Sequence, residues 1–249
     1  MTPIRGCTLC GTVLPYESEV GGQMRQFGTS GFLYRSNKLF FDEGTMSLWS
    51  TLEGKPVVGK LAGEDLELNL RSSVTTTWEE WKKQNPNTTV LSIDTGYDRD
   101  YAEGVAYKSY FESDRLMFEV PETDFRLRNK DEVLVMLVSP TSSDGREPLA
   151  LSTDFLKRNC IYPFEAGGRR FVVITSEEGA NRVFETGEVR FKRERRSNRI
   201  DDESRRRWTV TEDALVAGGD TEIELPRVTA NRAFWFGWYA QFPDTRLIK

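Results

Sequence analysis

Short apolar runs and two-residue alternation dominate this chain, and no 15-residue stretch carries an amphipathic helical period. That pattern predicts a mostly β protein of the α+β kind, with a few short helices. Gly31–Phe41 reads as a strand, and Pro56-Val57-Val58 and Leu66–Leu70 flank a turn-rich Ala62-Gly63-Glu64-Asp65. Val133–Val138 is an unbroken apolar run of strand length. With the Asp144-Gly145 turn and Leu149-Ala150-Leu151 it predicts a hairpin. Ser152–Asn159 suits a short helix, and Gly167-Gly168 turns the chain into a strand at Phe171–Thr175.

The pattern also repeats. Residues 66–91 and 223–248 align without a gap at an offset of 157. Trp78-x-x-Trp81 falls on Trp235-x-x-Trp238, and Pro86-Asn87-Thr88 on Pro243-Asp244-Thr245. Asp42…Trp49 faces Asp201…Trp208 at an offset of 159. An ancient duplication is the expectation. Thr77 and Glu80 have capping-box spacing, so a helix should open at Trp78 and stop at Pro86, with a strand at Thr89-Val90-Leu91. In the second block Asn231 is placed to cap and Pro243 to stop. Tryptophans three apart share a helix face, and core or inter-repeat packing is the expected use of all four. The division expected is 1–92 as a first β-rich half, 93–148 as a connector, and 149–249 as a second half.

Composition narrows the chemistry. The 249 residues carry 34 basic and 39 acidic side chains, a net charge of −5, and no histidine. Ser-His-Asp and Cys-His catalysts, and His-ligated zinc, are thereby excluded within one copy. Three cysteines cannot build a Cys₄ zinc site. No apolar run reaches the ~20 residues of a membrane-spanning helix. Nothing after Met1 reads as a signal peptide, which makes the cytoplasm the default expectation.

Three motifs are candidates for function. Cys7-Thr8-Leu9-Cys10 places two sulfurs within reach of each other or of one metal, and three uses stay open: a metal or redox site, a structural pair or disulfide, or none. Soft copper(I) suits a thiolate pair without imidazole, and Arg5 nearby would favour the thiolate. Cys160 is expected to be a buried, inert apolar residue. Arg190–Arg207 holds nine basic and four acidic residues. Arg193, Arg195, Arg196, Arg205, Arg206 and Arg207 could meet a polyanion. A solvated hairpin whose arginines pair with Asp201, Asp202 and Glu203 is the favoured alternative, so no strong nucleic-acid signal results. Asp94-Thr95-Gly96 resembles an aspartic-protease loop, but that chemistry needs a second such carboxylate. The offset partner of Asp94 falls beyond residue 249, and Gly219-Asp220-Thr221 continues with Glu222. A local turn is expected, with Asp94 bonding its own backbone.

Taken in order, several motifs resemble the prokaryotic family called domain of unknown function 3179. They are Cys7-Thr-Leu-Cys-Gly-Thr12, Phe27-Gly-Thr-Ser-Gly-Phe-Leu-Tyr-Arg-Ser-Asn37, Ser47-Leu-Trp-Ser50, Leu91-Ser-Ile-Asp-Thr-Gly-Tyr97, Arg99-Asp-Tyr101, Phe234-Trp-Phe-Gly-Trp238 and Pro243-Asp-Thr245. The resemblance spans nearly the whole chain and implies no particular activity. It implies that Cys7 weighs more than Cys10, because the family often has Thr at the second position. Export or lipoprotein leaders are frequent among members. Members commonly have His-Pro where this chain has Asn85-Pro86 and Phe242-Pro243. They also have a strand-containing segment before the Cys motif, so the resemblance implies that the first half, 1–92, lacks its opening strands. That should leave a bare edge beside Thr12–Tyr16, open to self-association. The resulting functional expectation is a thiol-centred soft-metal or redox site at Cys7 and Cys10, with a non-catalytic binding module as the alternative.

Overall fold

The structure is a computed structural model describing residues 4–142, 144–195, 199–219 and 223–249. The first half runs β1 (Ile4–Cys7), β2 (Thr12–Pro15), β3 (Glu19–Val20), β4 (Gln23–Met24), β5 (Phe27–Tyr34), β6 (Asn37–Asp42), β7 (Leu48–Ser50), β8 (Pro56–Val58) and helix α1 (Trp78–Gln84). A connector with one short helix, α2 (Lys108–Phe111), leads to β9 (Glu132–Val138), β10 (Glu147–Ser152) and α3 (Thr153–Lys157). Then come β11 (Ile161–Ala166), β12 (Arg169–Thr175), β13 (Asn181–Glu185), β14 (Ile200–Asp201), β15 (Arg207–Val210), β16 (Ala214–Ala217) and β17 (Glu224–Pro226). The chain closes with β18 (Asn231–Phe234), α4 (Trp235–Gln241) and β19 (Arg246–Ile248). The protein is mostly β, built from several small sheets.

The central sheet has the order β18-β9-β10-β19 and explains the unbroken apolar runs. Val133 and Val135 enter one buried cluster with Leu14, Phe40, Trp49, Leu68, Trp235 and Trp238. Leu134, Met136 and Val138 enter another with Leu149, Leu156 and Phe171. A strand covered on both faces needs apolar residues at every position, so alternation disappears. The same holds for β12, whose Val173 joins the second cluster while Val172 and Ile174 join a third with Phe184 and Trp208. As expected, β9 and β10 are antiparallel, and Ser152 caps α3 by accepting from the Phe155 N–H.

Several local expectations are corrected. Gly31–Phe41 is a hairpin, because Arg35 and Ser36 turn at φ 48° and 62° between Tyr34 and its partner Asn37. Leu66–Leu70 forms no strand, only a bridge from Leu70 to Tyr16. Thr89-Val90-Leu91 is irregular, with Leu91 95% exposed. Asn231 lies inside β18 rather than capping α4. The edge beside Thr12–Tyr16 is not bare: β1 pairs with β2, and the chain around Tyr16 bonds to Asn69 and Arg71. Thr77 does cap α1, accepting from the Glu80 N–H at 3.2 Å.

The two halves share local signatures. Trp49 Nε1 donates to Asp42 at 3.2 Å, and Trp208 Nε1 donates to Asp202 at 3.1 Å. Phe27 pairs with Asp42, as Phe191 bridges to Asp202. Trp81 donates to Thr88 at 2.9 Å, and Trp238 to Thr245 at 2.8 Å. Their surroundings differ, since Trp235 and Trp238 are buried while Trp78 and Trp81 are 50% and 41% exposed. Core packing therefore describes only the second pair.

Candidate functional site

Cys7 ends β1 and opens a single 3₁₀ turn, Thr8–Cys10. Gly11 closes that turn at φ 63°, its N–H bonding the Thr8 carbonyl, and β2 returns alongside β1. The position needs glycine twice over. Its φ is left-handed, and an added Cβ would lie 2.9 Å from the Phe234 ring. The turn holds the Cα atoms of Cys7 and Cys10 5.2 Å apart, and a disulfide joins them.

The bridge lies in a small apolar cluster with Phe234 and Phe236, flanked by Leu9, Leu116 and Val120. Cys10 is fully buried, whereas Cys7 keeps 6% of its surface. Cys10 Sγ sits 3.1 Å from the Ser36 carbonyl oxygen. Ser36 belongs to the β5–β6 turn, where two consecutive non-glycine residues hold positive φ. Such a turn ordinarily takes Asn-Gly, so the Arg-Ser backbone here is strained. The strain is opposed by a grip on α4. Arg35 donates to the Gln241 carbonyl at 3.3 Å, and Asn37 donates to the Gly237 carbonyl at 3.0 Å. Gly237 is in turn backed by Cys10: an added Cβ there would lie 3.4 Å from the Cys10 Cβ. Two polar atoms in this neighbourhood, Asn37 Oδ1 and Thr12 Oγ1, are buried without a hydrogen-bond partner.

The connector reaches this site too. Tyr110 donates its hydroxyl to the Leu9 carbonyl at 2.7 Å, and burial pushes its phenol up from the ordinary value. Lys130 donates to the carbonyls of Tyr110, Ser113 and Arg115 and lies 3.6 Å from the Tyr110 ring centroid. Burial holds its ammonium below the usual lysine value, although Asp114 acts in the opposite sense.

Among the sequence candidates, Cys7 and Cys10 are brought together, and Cys160 is apart and half-buried rather than fully buried, with its Sγ 3.7 Å from the Glu194 carbonyl. The two sulfurs of Cys7 and Cys10 lie at disulfide distance, and a pair bonded in this way carries no thiolate. No cluster of three metal-ligating side chains occurs among the described residues. The basic stretch is divided. Arg193 and Arg195 line an 820 Å³ hollow with Lys157 and Arg158. Arg193 also bonds Asn159 at 2.7 Å and lies over the Phe155 and Tyr162 rings. Arg205 and Arg206 form the β14–β15 turn on Asp202, and Arg207 pairs with Asp201 at 2.7 Å, as the solvated-hairpin reading expects. Arg196 and Asp220 lie outside the described residues. Asp94 is exposed, and its turn is made by the Ser92 hydroxyl accepting from the Asp94 N–H, the reverse of the expected bond.

Asn37, Ser36, Tyr110 and Lys130 escaped the reading of the residues by chemistry. Nothing in spacing links position 10 to position 36, or position 9 to position 110; only the Phe27–Asn37 string marked part of the set.

No curated protein and no solved structure matches the chain. The model of one family, described as a protein of unknown function (DUF3179), matches residues 4–245. That span takes in the cysteine turn, the Arg35–Asn37 turn and α4 alike, and the chain belongs to this family.

Proposed function

We propose that Cys7 and Cys10 form a reversible thiol–disulfide centre. The observation that carries the reading is the inequality of the two sulfurs. Both residues are buried, but Cys7 keeps 6% of its surface, while Cys10 keeps none and faces a carbonyl oxygen. Burial keeps an external thiolate from Cys10, and the Ser36 carbonyl accepts from the Cys10 thiol once that sulfur is protonated. An incoming small thiolate therefore attacks Cys7 Sγ. The S–S bond breaks, and Cys10 Sγ leaves with the electron pair, takes a proton and donates to Ser36. A second small thiol attacks the mixed disulfide and frees Cys7. The protein gains two electrons, and the two external thiols end as one disulfide. A ring closed over so few residues removes less chain entropy than the roughly 3 kcal/mol of a 15-residue loop, so stability alone is a weak reason for this bridge.

The test is trapping. Cys10→Ser incubated with a small aromatic disulfide should hold a mixed adduct at Cys7, detected by peptide mass. Cys7→Ser should hold far less at Cys10. Equal trapping at both positions, or none at either, contradicts the assignment of roles.

A second reading, anion binding at the hollow lined by Lys157, Arg158, Arg193 and Arg195, is favoured by four cations around one carboxylate, Glu194. It predicts binding of a polyphosphate that weakens steeply with salt.

A further inference from the structure

A cavity of about 400 Å³ lies where segments 70–73 and 229–231 meet, and no motif points to it. Leu14, Leu52, Leu68 and Leu70 line it from the N-terminal part of the chain, and Val135, Leu137 and Trp238 from later in the chain. Its volume falls within the range of roughly 300–1,000 Å³ typical of small-molecule sites, and such a lining disfavours water.

The polar groups on it are Glu67, Asn69, Arg146, Thr229 and Asn231. Asn231 is 2% exposed and lines the cavity. Its Oδ1 accepts from the Ser73 N–H at 3.1 Å and the Ser73 hydroxyl at 2.6 Å. Because a backbone N–H only donates, this fixes the amide orientation and leaves Nδ2 as a donor with no partner among the described residues. Arg146, also on the lining, pairs with Glu67, whose carboxylate is shared with Lys55 at 3.3 Å. The remaining Arg146 N–H groups have no acceptor among the described residues. Glu53 and Lys55 lie with Arg146 around an adjoining hollow, so the mouth carries both signs of charge.

We propose that this cavity binds an apolar monocarboxylic acid. Its hydrocarbon body fills the space between Leu14, Leu68, Val135 and Trp238, and its oxygens accept from Arg146 and Asn231. A carboxylate fits better than an amine or an alcohol because Arg146 and Asn231 Nδ2 offer donors, one of them cationic, while Glu67 is already engaged by Arg146 and Lys55. The site is independent of the cysteine chemistry.

Decanoic acid and 1-decanol, each below its aggregation limit, are the probes, with calorimetry and displacement of a fluorescent apolar dye as readouts. Decanoic acid should bind the wild-type protein, and 1-decanol about tenfold more weakly. Arg146→Ala, at a partly exposed side chain, should reduce acid affinity about tenfold and leave the alcohol unchanged. Thr229→Trp, at an exposed residue on the cavity rim, should block both while the far-ultraviolet spectrum and melting curve are retained. Absence of decanoic acid binding at millimolar concentration, equal affinity for acid and alcohol, or undiminished binding to Thr229→Trp would each overturn the proposal.

Discussion

Single residues at the cysteine turn and the first β-meander carry much of the account. Gly11→Ala meets both a left-handed φ and the Phe234 ring, so it should cost more than about 1 kcal/mol in denaturant melts. Asp42 is 1% exposed, accepts from Thr45 and from Trp49, and forms an ion pair with the Arg25 guanidinium 3.6 Å away. Burial alone would raise its carboxyl, but the bonds from Thr45 and Trp49 and the charge of Arg25 hold it below the usual aspartate value. A depressed carboxylate stabilises the fold above its unfolded pKa, and that contribution is lost as pH falls through the folded value. Asp42→Asn should therefore lower stability at pH 7 by about 1–3 kcal/mol, with the gap to wild type narrowing in melts at acid pH. Asp94→Asn, at an exposed carboxylate that anchors nothing, should stay within about 0.5 kcal/mol.

At the scale of elements, α1 and α4 hold matching Trp-x-x-Trp sequences in opposite surroundings. Trp238→Ala should cost about 3–5 kcal/mol, because it empties a site at the junction of the central sheet and the first half. Trp81→Ala should cost less than about 1 kcal/mol, since that ring is 41% exposed and bonds only locally to Thr88. Chemical denaturation of the two variants separates these outcomes. The contrast also marks how far sequence reading reaches. The cap at Thr77, the stop at Pro86 and the shared face of the two tryptophans are local facts, and all are legible. Whether that face is covered depends on β9 and β10, which pack behind α4 and not behind α1; no pattern within 78–91 encodes this. The same limit hid the turn at Arg35-Ser36. Two ordinary side chains there adopt positive φ because α4 is gripped on the far side, so an uninterrupted aromatic run folded into a hairpin. The cysteine pair was legible from spacing alone, whereas Ser36, Asn37 and Tyr110 reach it only through contacts distant in sequence.

Over the whole molecule, the 157-residue offset stays a feature of the sequence, and the paired Asp–Trp and Trp–Thr bonds are local likenesses. Ser72 bonds Ala230, Ser73 bonds Asn231, and Thr229 bonds Leu70, so segments 70–73 and 229–231 meet along a seam. The cavity lies within that seam, and the Cys7–Cys10 turn packs against Phe234 and Phe236. Reducing the bridge should therefore loosen the N-terminal hairpin from the start of α4 while the central sheet stays folded. The most direct test equilibrates the native protein in glutathione buffers of graded potential, quenches it by alkylation and counts modified cysteines by mass. The account predicts a single two-electron transition, from Cys160 as the one alkylated thiol to all three cysteines alkylated, reversed on reoxidation with the fold intact throughout. A pair that stays oxidised until the protein unfolds, or that is free at every potential, would contradict it.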